Sequence, residues 1–171
     1  MPSGRQPMTR AVPRLIVFDL DFTLWDCGGT WCDCLTPPFR QSNARLLDRG
    51  DRHIRLYDDV QWILDHCDEH SITMALASRT EQPPWARELV GLLGITERFA
   101  YAEIYPSSKL QHFASLSQQS GVAYDEMLFF DDEMRNIREV SSLGVTSVFV
   151  ETGMSRKLFE DGMKRFAQRR M

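Results

Sequence analysis

No apolar run in this chain approaches the roughly 20 residues a membrane-spanning helix needs, which argues against a spanning segment. A basic surplus is missing too: 20 Lys and Arg stand against 24 Asp and Glu, a net charge of -4. A domain built on phosphate contacts to nucleic acid is normally basic, so no nucleic-acid role is expected. The local exceptions, Lys164-Arg165 and Arg169-Arg170, suit the C-terminal end of a helix, where cations offset its dipole. Residues 1–13 lack the apolar centre of a secretory signal. They read as a disordered leader, with a transit peptide as the alternative, and the cytoplasm is the expected location. Cysteine is scarce, 4 in 171 residues. Cys27, Cys32 and Cys34 crowd one segment and Cys67 lies far off, so a zinc knot would need Cys67 or a histidine such as His66 or His70 as its fourth ligand. Free thiols are the favoured reading. Neither an internal repeat nor a low-complexity tract is visible. What remains is one monomeric domain with no membrane or nucleic-acid partner, 14–171, long enough for a single core.

Short apolar runs alternate with amphipathic stretches, the pattern of an α/β fold with a central parallel sheet and crossover helices. The runs Leu15–Phe18, Ile72–Ala77, Phe99–Ala102, Met127–Phe130 and Val145–Val150 predict strands. Asp58 or Asp59 can cap a helix whose Val60, Ile63, Leu64 and Cys67 fall on one face. Further helices are expected over 84–93, stopped by Gly94, and over 108–119, with Leu110, Phe113 and Leu116 inward and Gly121 ending it. Two more follow Asp131-Asp132-Glu133 and Ser155. The segment from Leu20 to Tyr57, rich in Gly, Cys, Pro and Asp, reads as a long loop, with 26–56 as a flap over whatever lies at the sheet's mouth.

Polar residues punctuate the ends of the predicted strands. Asp19 and Asp21 follow the first, Ser78 and Arg79 the second, and Asp131 and Asp132 the fourth, while Lys109 opens the helix after the third. Ligand crevices of open α/β sheets lie at the carboxyl ends of strands, so these groups converge on one edge. Each has an ordinary explanation alone: a cap, a surface lysine, an acidic loop. Their joint placement does not. Clustered carboxylates raise one another's pKa unless a cation offsets them. A hard dication with oxygen ligands does so, and Mg²⁺ typically combines carboxylates with waters and a phosphate oxygen. Mg²⁺, Lys109 and the Ser78 hydroxyl can neutralise a phosphoryl group in transfer. A carboxylate nucleophile would split hydrolysis into two displacements through an aspartyl-phosphate, and a second acid two residues on could protonate the leaving oxygen.

Asp19-Leu20-Asp21-Phe22-Thr23, Ser78, Lys109 and Phe129-Phe130-Asp131-Asp132 resemble, in order and spacing, the motifs of the haloacid dehalogenase superfamily of phosphohydrolases. A closer likeness is to the eukaryotic magnesium-dependent phosphatase family, carried by Phe18 to Trp25, Pro37-Pro38-Phe39, Ala77-Ser78-Arg79-Thr80, Glu103-Ile104-Tyr105-Pro106, Phe129 to Glu133 and Arg135-Asn136-Ile137. It implies a Rossmann-like three-layer α/β/α fold with a minimal cap. It further implies Asp19 as nucleophile and metal ligand, and Asp21 as acid/base, binding metal through its backbone carbonyl. Ser78 and Lys109 would contact the phosphoryl group, and Asp132 would be a metal ligand with Asp131 beside it. With no room for a cap domain, an open site would admit a phosphoprotein as well as a phosphorylated small molecule. The resemblance implies phosphotyrosine-like esters and protein-bound sugar phosphates such as fructosamine 6-phosphate. Trp25, Trp31 and Phe39 are candidates to wall the entrance, and Arg79 and Trp25 complete the expected substrate contacts. The non-enzymatic alternative is a phospho-accepting receiver domain, which places its acidic pair early and its acceptor aspartate later. Here the order is reversed.

Overall fold

The computed structural model describes residues 11–170. Five strands form a wholly parallel sheet: β1 (Leu15–Phe18), β6 (Thr73–Ser78), β7 (Tyr101–Ile104), β8 (Met127–Asp131) and β9 (Thr146–Phe149). Their spatial order is β7-β6-β1-β8-β9. The chain builds outward from β1 on one side and then on the other, so β1 sits at the topological switch point, where a ligand crevice opens beyond the strand ends. Register makes those ends level: Phe18 lies opposite both Leu76 and Phe130.

Alternation along β1 explains the layers. Leu15 and Val17 face one core with Phe113, Leu116, Ile137 and Val140, from α3 (Lys109–Ser120) and α4 (Met134–Ser141). Ile16 and Phe18 face the other, with residues of α1 (Val60–Glu69), α2 (Pro83–Leu92) and α5 (Arg156–Arg169). Both faces are covered, which is why the strand reads as an unbroken apolar run. α1 buries Val60, Ile63, Leu64 and Cys67, as their spacing requires. Ser108 and Ser155 cap α3 and α5 by accepting the amides of Gln111 and Leu158, and Gly121 ends α3 at φ +71°.

Three expectations need correction. The segment after β1 is not a long loop: β2 (Trp25–Cys27), β3 (Arg40–Ser42), β4 (Arg45–Leu47) and β5 (His53–Leu56) form an antiparallel sheet ordered β2-β5-β4-β3. Buried Asp48 organises its turn, accepting the amides of Thr36 and Arg52 at 2.9 and 2.8 Å. The third strand of the main sheet begins at Tyr101, two residues later than its apolar run suggested. On α3 the inward stripe is Lys109, His112, Phe113 and Leu116, while Leu110 is 38% exposed. The helical period favours that stripe, and Lys109 is drawn inward by partners at the site. Residues 1–10, most of the expected leader, lie outside the described residues. Beyond them Ala11 packs on the core and Pro13 is buried.

Candidate active site

β1 delivers Asp19 to the sheet's mouth, where its amide donates to the Phe130 carbonyl at 3.1 Å. A tight turn follows in which the Leu20 carbonyl accepts the amides of Thr23, Leu24 and Trp25, and Phe22 takes a left-handed φ of +59°. β8 brings Asp131 alongside, and carboxylate oxygens of Asp19, Asp131 and Asp132 lie within 4.8 Å of one another. Lys109, from the first turn of α3, is fully buried between them: its Nζ is 3.1 Å from Asp19 Oδ1 and 3.2 Å from Asp131 Oδ2, and it donates to the Ala77 carbonyl at the end of β6. Thr23 Oγ1 donates to the other oxygen of Asp19 at 3.3 Å.

One ammonium does not balance three carboxylates. Burial, with the Asp132 charge adding and Lys109 opposing, pushes Asp19 up to about 8. Burial and the Asp19 charge push Asp131 to about 7, and burial with its acidic neighbours pushes Asp132 to about 6. Lys109 stays charged: burial works against it, but the two aspartates outweigh that and raise its pKa. Such a set of hard oxygen donors, short of positive charge, fits a divalent cation of the Mg²⁺ type. Asp131 has both oxygens engaged by protein, Oδ1 by the Glu133 amide at 2.7 Å and Oδ2 by Asn136 Nδ2 at 3.1 Å as well as Lys109.

A cavity of about 480 Å³ opens beside this cluster, lined among others by Asp21, Trp31, Ser78, Arg79, Lys109 and Asn136. Lys109 joins the two, lining the cavity while touching Asp19 and Asp131. Ser107 and Ser108 at the start of α3 also line it, where a helix N-terminus offers free amides to an anion. The structure thus brings together Asp19, Asp21, Ser78, Arg79, Lys109, Asp131 and Asp132. Trp25 is the exception: it is fully buried, with its indole turned to Asp21, and does not line the cavity. Phe39 is likewise core. Trp31 does stand at the entrance, 52% exposed and edge-on to Phe22 at 5.7 Å. None of the four cysteines is in a disulfide, and among the described residues no three of the cysteines and histidines gather into a group that could hold a metal. Cys32 alone belongs to a potential metal-ligating group among the described residues, with Asp21 and Asp33.

Two parts of the site had no role assigned from sequence. Asn136 links Asp131 to Arg79, whose guanidinium donates to its Oδ1 at 3.0 Å and lies 3.9 Å from Glu139. Asp33 fastens the flap to the loop after β6 by accepting from the Thr80 hydroxyl and from the Glu81 amide at 3.1 Å. Asn136 sits within the Arg135-Asn136-Ile137 string already noted for its resemblance, but Asp33 carries no local signal.

The family model described as acid phosphatase matches residues 11–169. The chain belongs to that family. It is 40% identical over 159 residues to human "Magnesium-dependent phosphatase 1", covering 92% of this chain and 89% of that one. It is 39% identical over 147 residues to a "HAD-like hydrolase superfamily protein" of Schizosaccharomyces pombe, covering 78% and 83%. Among solved structures, a haloacid dehalogenase superfamily hydrolase from Ehrlichia chaffeensis superposes with a TM-score of 0.63 at 16% identity, covering 92% of this chain and 97% of that one. A "Putative Phosphatase" from Clostridium difficile gives a TM-score of 0.65 at 15% identity, covering 88% and 91%. This chain therefore shares its fold with those structures.

Proposed function

We propose that this protein is a Mg²⁺-dependent phosphomonoesterase that works through a phosphoryl-Asp19 intermediate. The single observation that carries the reading is Lys109 buried between Asp19 and Asp131 beside a polar cavity. The name and 40% identity of the human relative support the metal and the reaction. Asp19 and Asp132 are the carboxylates assigned to direct metal binding, because Asp131 is the one most fully held by protein: the Glu133 amide, Asn136 and Lys109 all donate to it, against Lys109 and the longer Thr23 contact on Asp19. A bound Mg²⁺ would supply charge neutralisation for Asp19 and the phosphoryl oxygens.

The side chains then divide the work. Asp19 Oδ attacks phosphorus as the ester P–O bond breaks, and Asp21 gives its proton to the leaving oxygen. Lys109 and Ser78 hold the phosphoryl oxygens in transit. In the second half Asp21 takes a proton from water as the water oxygen attacks, and Asp19 is released.

For substrate we infer a phosphotyrosine-like ester or a protein-borne sugar phosphate. Among the described residues the addition to the parallel core is a four-stranded sheet of short strands rather than a separate cap domain, which supports an open site, and exposed Trp31 lines the cavity. A cytoplasmic, monomeric enzyme is the matching expectation. A phosphate-ester panel on pure protein, with Mg²⁺ and with excess chelator, tests the assignment. Turnover of aryl and peptide phosphates that chelator abolishes is expected; full activity in chelator overturns the metal role. Preference for small sugar phosphates would overturn the substrate class alone.

A further inference from the structure

Asp21 is held in an unusually one-sided way. Its Oδ1 accepts the indole Nε1–H of Trp25 at 2.8 Å and the amide of Cys32 at 2.9 Å, with the Cys27 thiol 3.8 Å away. A carboxylate oxygen has about two lone-pair sites, and indole and amide N–H groups only donate. Both sites of Oδ1 are therefore filled by groups that cannot accept a proton back. Among the described residues Oδ2 has no such protein partner, and Asp21 lines the cavity.

Trp25 is well fixed for this purpose. It is fully buried in β2, paired with Leu56. Its own backbone closes the turn after β1, with N donating to the Leu20 carbonyl at 3.2 Å and O accepting the Phe22 amide at 2.9 Å. One residue thus sets the path of the Asp19–Asp21 turn and the rotation of the Asp21 carboxyl. A phenyl ring would fill only part of the same buried space; the bicyclic indole fills it and adds one N–H, and that N–H meets the carboxyl of Asp21, a residue that lines the cavity.

We propose that Trp25 is a positioning residue for proton transfer: by occupying Oδ1 together with the Cys32 amide, it confines the transferable proton of Asp21 to Oδ2, on the cavity side. This rests on the reading of Asp21 as the leaving-group acid. In the first half-reaction the proton passes from Oδ2 to the ester oxygen while the P–O bond breaks and the Asp19–phosphorus bond forms. Without the indole N–H, Oδ1 competes for the proton and the carboxyl is free to rotate, so protonated encounters with the leaving oxygen become rarer. An ester whose leaving group departs without protonation is insensitive to this.

The test is the leaving-group dependence of kcat/KM, which reports steps up to phosphorylation of Asp19. A series of phosphate monoesters from nitrophenyl to alkyl is measured with Mg²⁺ for the native protein, Trp25→Phe, Asp21→Asn and the double variant. A further protein carries a benzothienyl isostere at position 25, which keeps the bicyclic shape and removes only the N–H. If Trp25→Phe folds poorly, the isostere decides. Expected for both Trp25 replacements is a loss of about tenfold for alkyl esters, a part of the 10²–10⁴-fold that general acid catalysis supplies as a whole, with nitrophenyl esters within about twofold of native. Asp21→Asn should steepen the dependence further, and adding Trp25→Phe to it should cost the alkyl esters nothing more. A uniform loss across the series in the isostere, or no loss, overturns the role of Trp25 while a steepened Asp21→Asn leaves the acid assignment standing. An unchanged slope in Asp21→Asn removes that assignment, and the Trp25 proposal with it.

Discussion

Replacing Lys109 by methionine should weaken the fold in a way that depends on pH. The side chain is wholly buried and lies between Asp19 and Asp131, while also donating to the Ala77 carbonyl. Methionine keeps the apolar stem and removes the charge. Breaking one partner out of a buried ionic cluster typically costs about 3–5 kcal/mol, because the remaining charge is left uncompensated. In metal-free protein the sign follows from the carboxylates. Burial holds Asp19 at about 8 and Asp131 at about 7, both far above the ordinary 3.8. The folded site therefore keeps protons that the unfolded chain gives up from about pH 4 onward, and folding stability falls as pH rises through that window. Lys109 limits the fall, so Lys109→Met steepens it. The variant should lose about 3–5 kcal/mol at pH 8.5. At pH 5, where the carboxyls can be neutral, the lost bond to Ala77 leaves only about 1 kcal/mol. Urea unfolding in chelator at the two pH values measures both losses. Equal losses, or under about 1 kcal/mol at pH 8.5, would show that Lys109 does not hold the carboxylates together as reasoned here.

Other substitutions probe separate features. Asp19→Asn should abolish turnover yet leave metal-free protein at least as stable as native at pH 8, since it deletes a buried carboxylate held near 8; a lower melting temperature there contradicts the charge imbalance assigned to the cluster. Trp31→Ala should raise KM for aryl phosphates by a few-fold to about tenfold, the worth of an aromatic contact, and leave acetyl phosphate unaffected; equal losses with a lower Tm would make Trp31 structural. Asp33→Ala unties the flap, so faster amide exchange is expected at Cys32–Leu35 with β1 and β8 unchanged; uniform exchange refutes the tether. In Gly162→Ala the new Cβ would stand 2.7 Å from the Phe130 ring, an overpacking cost of about 1–3 kcal/mol that thermal unfolding reads directly.

How much was legible in the sequence depended on how local each signal is. Leu15–Phe18 and the Val60, Ile63, Leu64, Cys67 stripe betray themselves by period alone, and the polar residues that end the strands converge because the register of β6, β1 and β8 is level. The flap sheet was hidden because its strands span only three or four residues and β3, Arg40-Gln41-Ser42, is exposed throughout. Its hairpin turn, Asn43-Ala44, takes φ of +51° and +62° without the glycine that usually marks such a turn. Trp25 misled for a related reason. An indole in a polar segment suggests a ligand face, but the turn after β1 folds it back under Asp21, and nothing at four residues' spacing in a loop announces that contact. The structure places Lys109 beside Asp19 and Asp131, whereas its displacement of Leu110 from the inward face of α3 follows from partners distant in sequence: Asp19 just beyond β1, Ala77 in β6 and Asp131 in β8.

The proposed mechanism stands on covalent phosphorylation of Asp19. Rapid quench of the Mg²⁺-loaded enzyme with a phosphate ester, followed by borohydride reduction and peptide mass spectrometry, converts an aspartyl-phosphate into homoserine at the residue that carried it. Homoserine is expected at position 19, formed and lost on the timescale of turnover and absent in Asp19→Asn. Homoserine at position 131 or 132 instead, persisting after substrate is consumed, would contradict it and point to a late acceptor aspartate of the receiver kind.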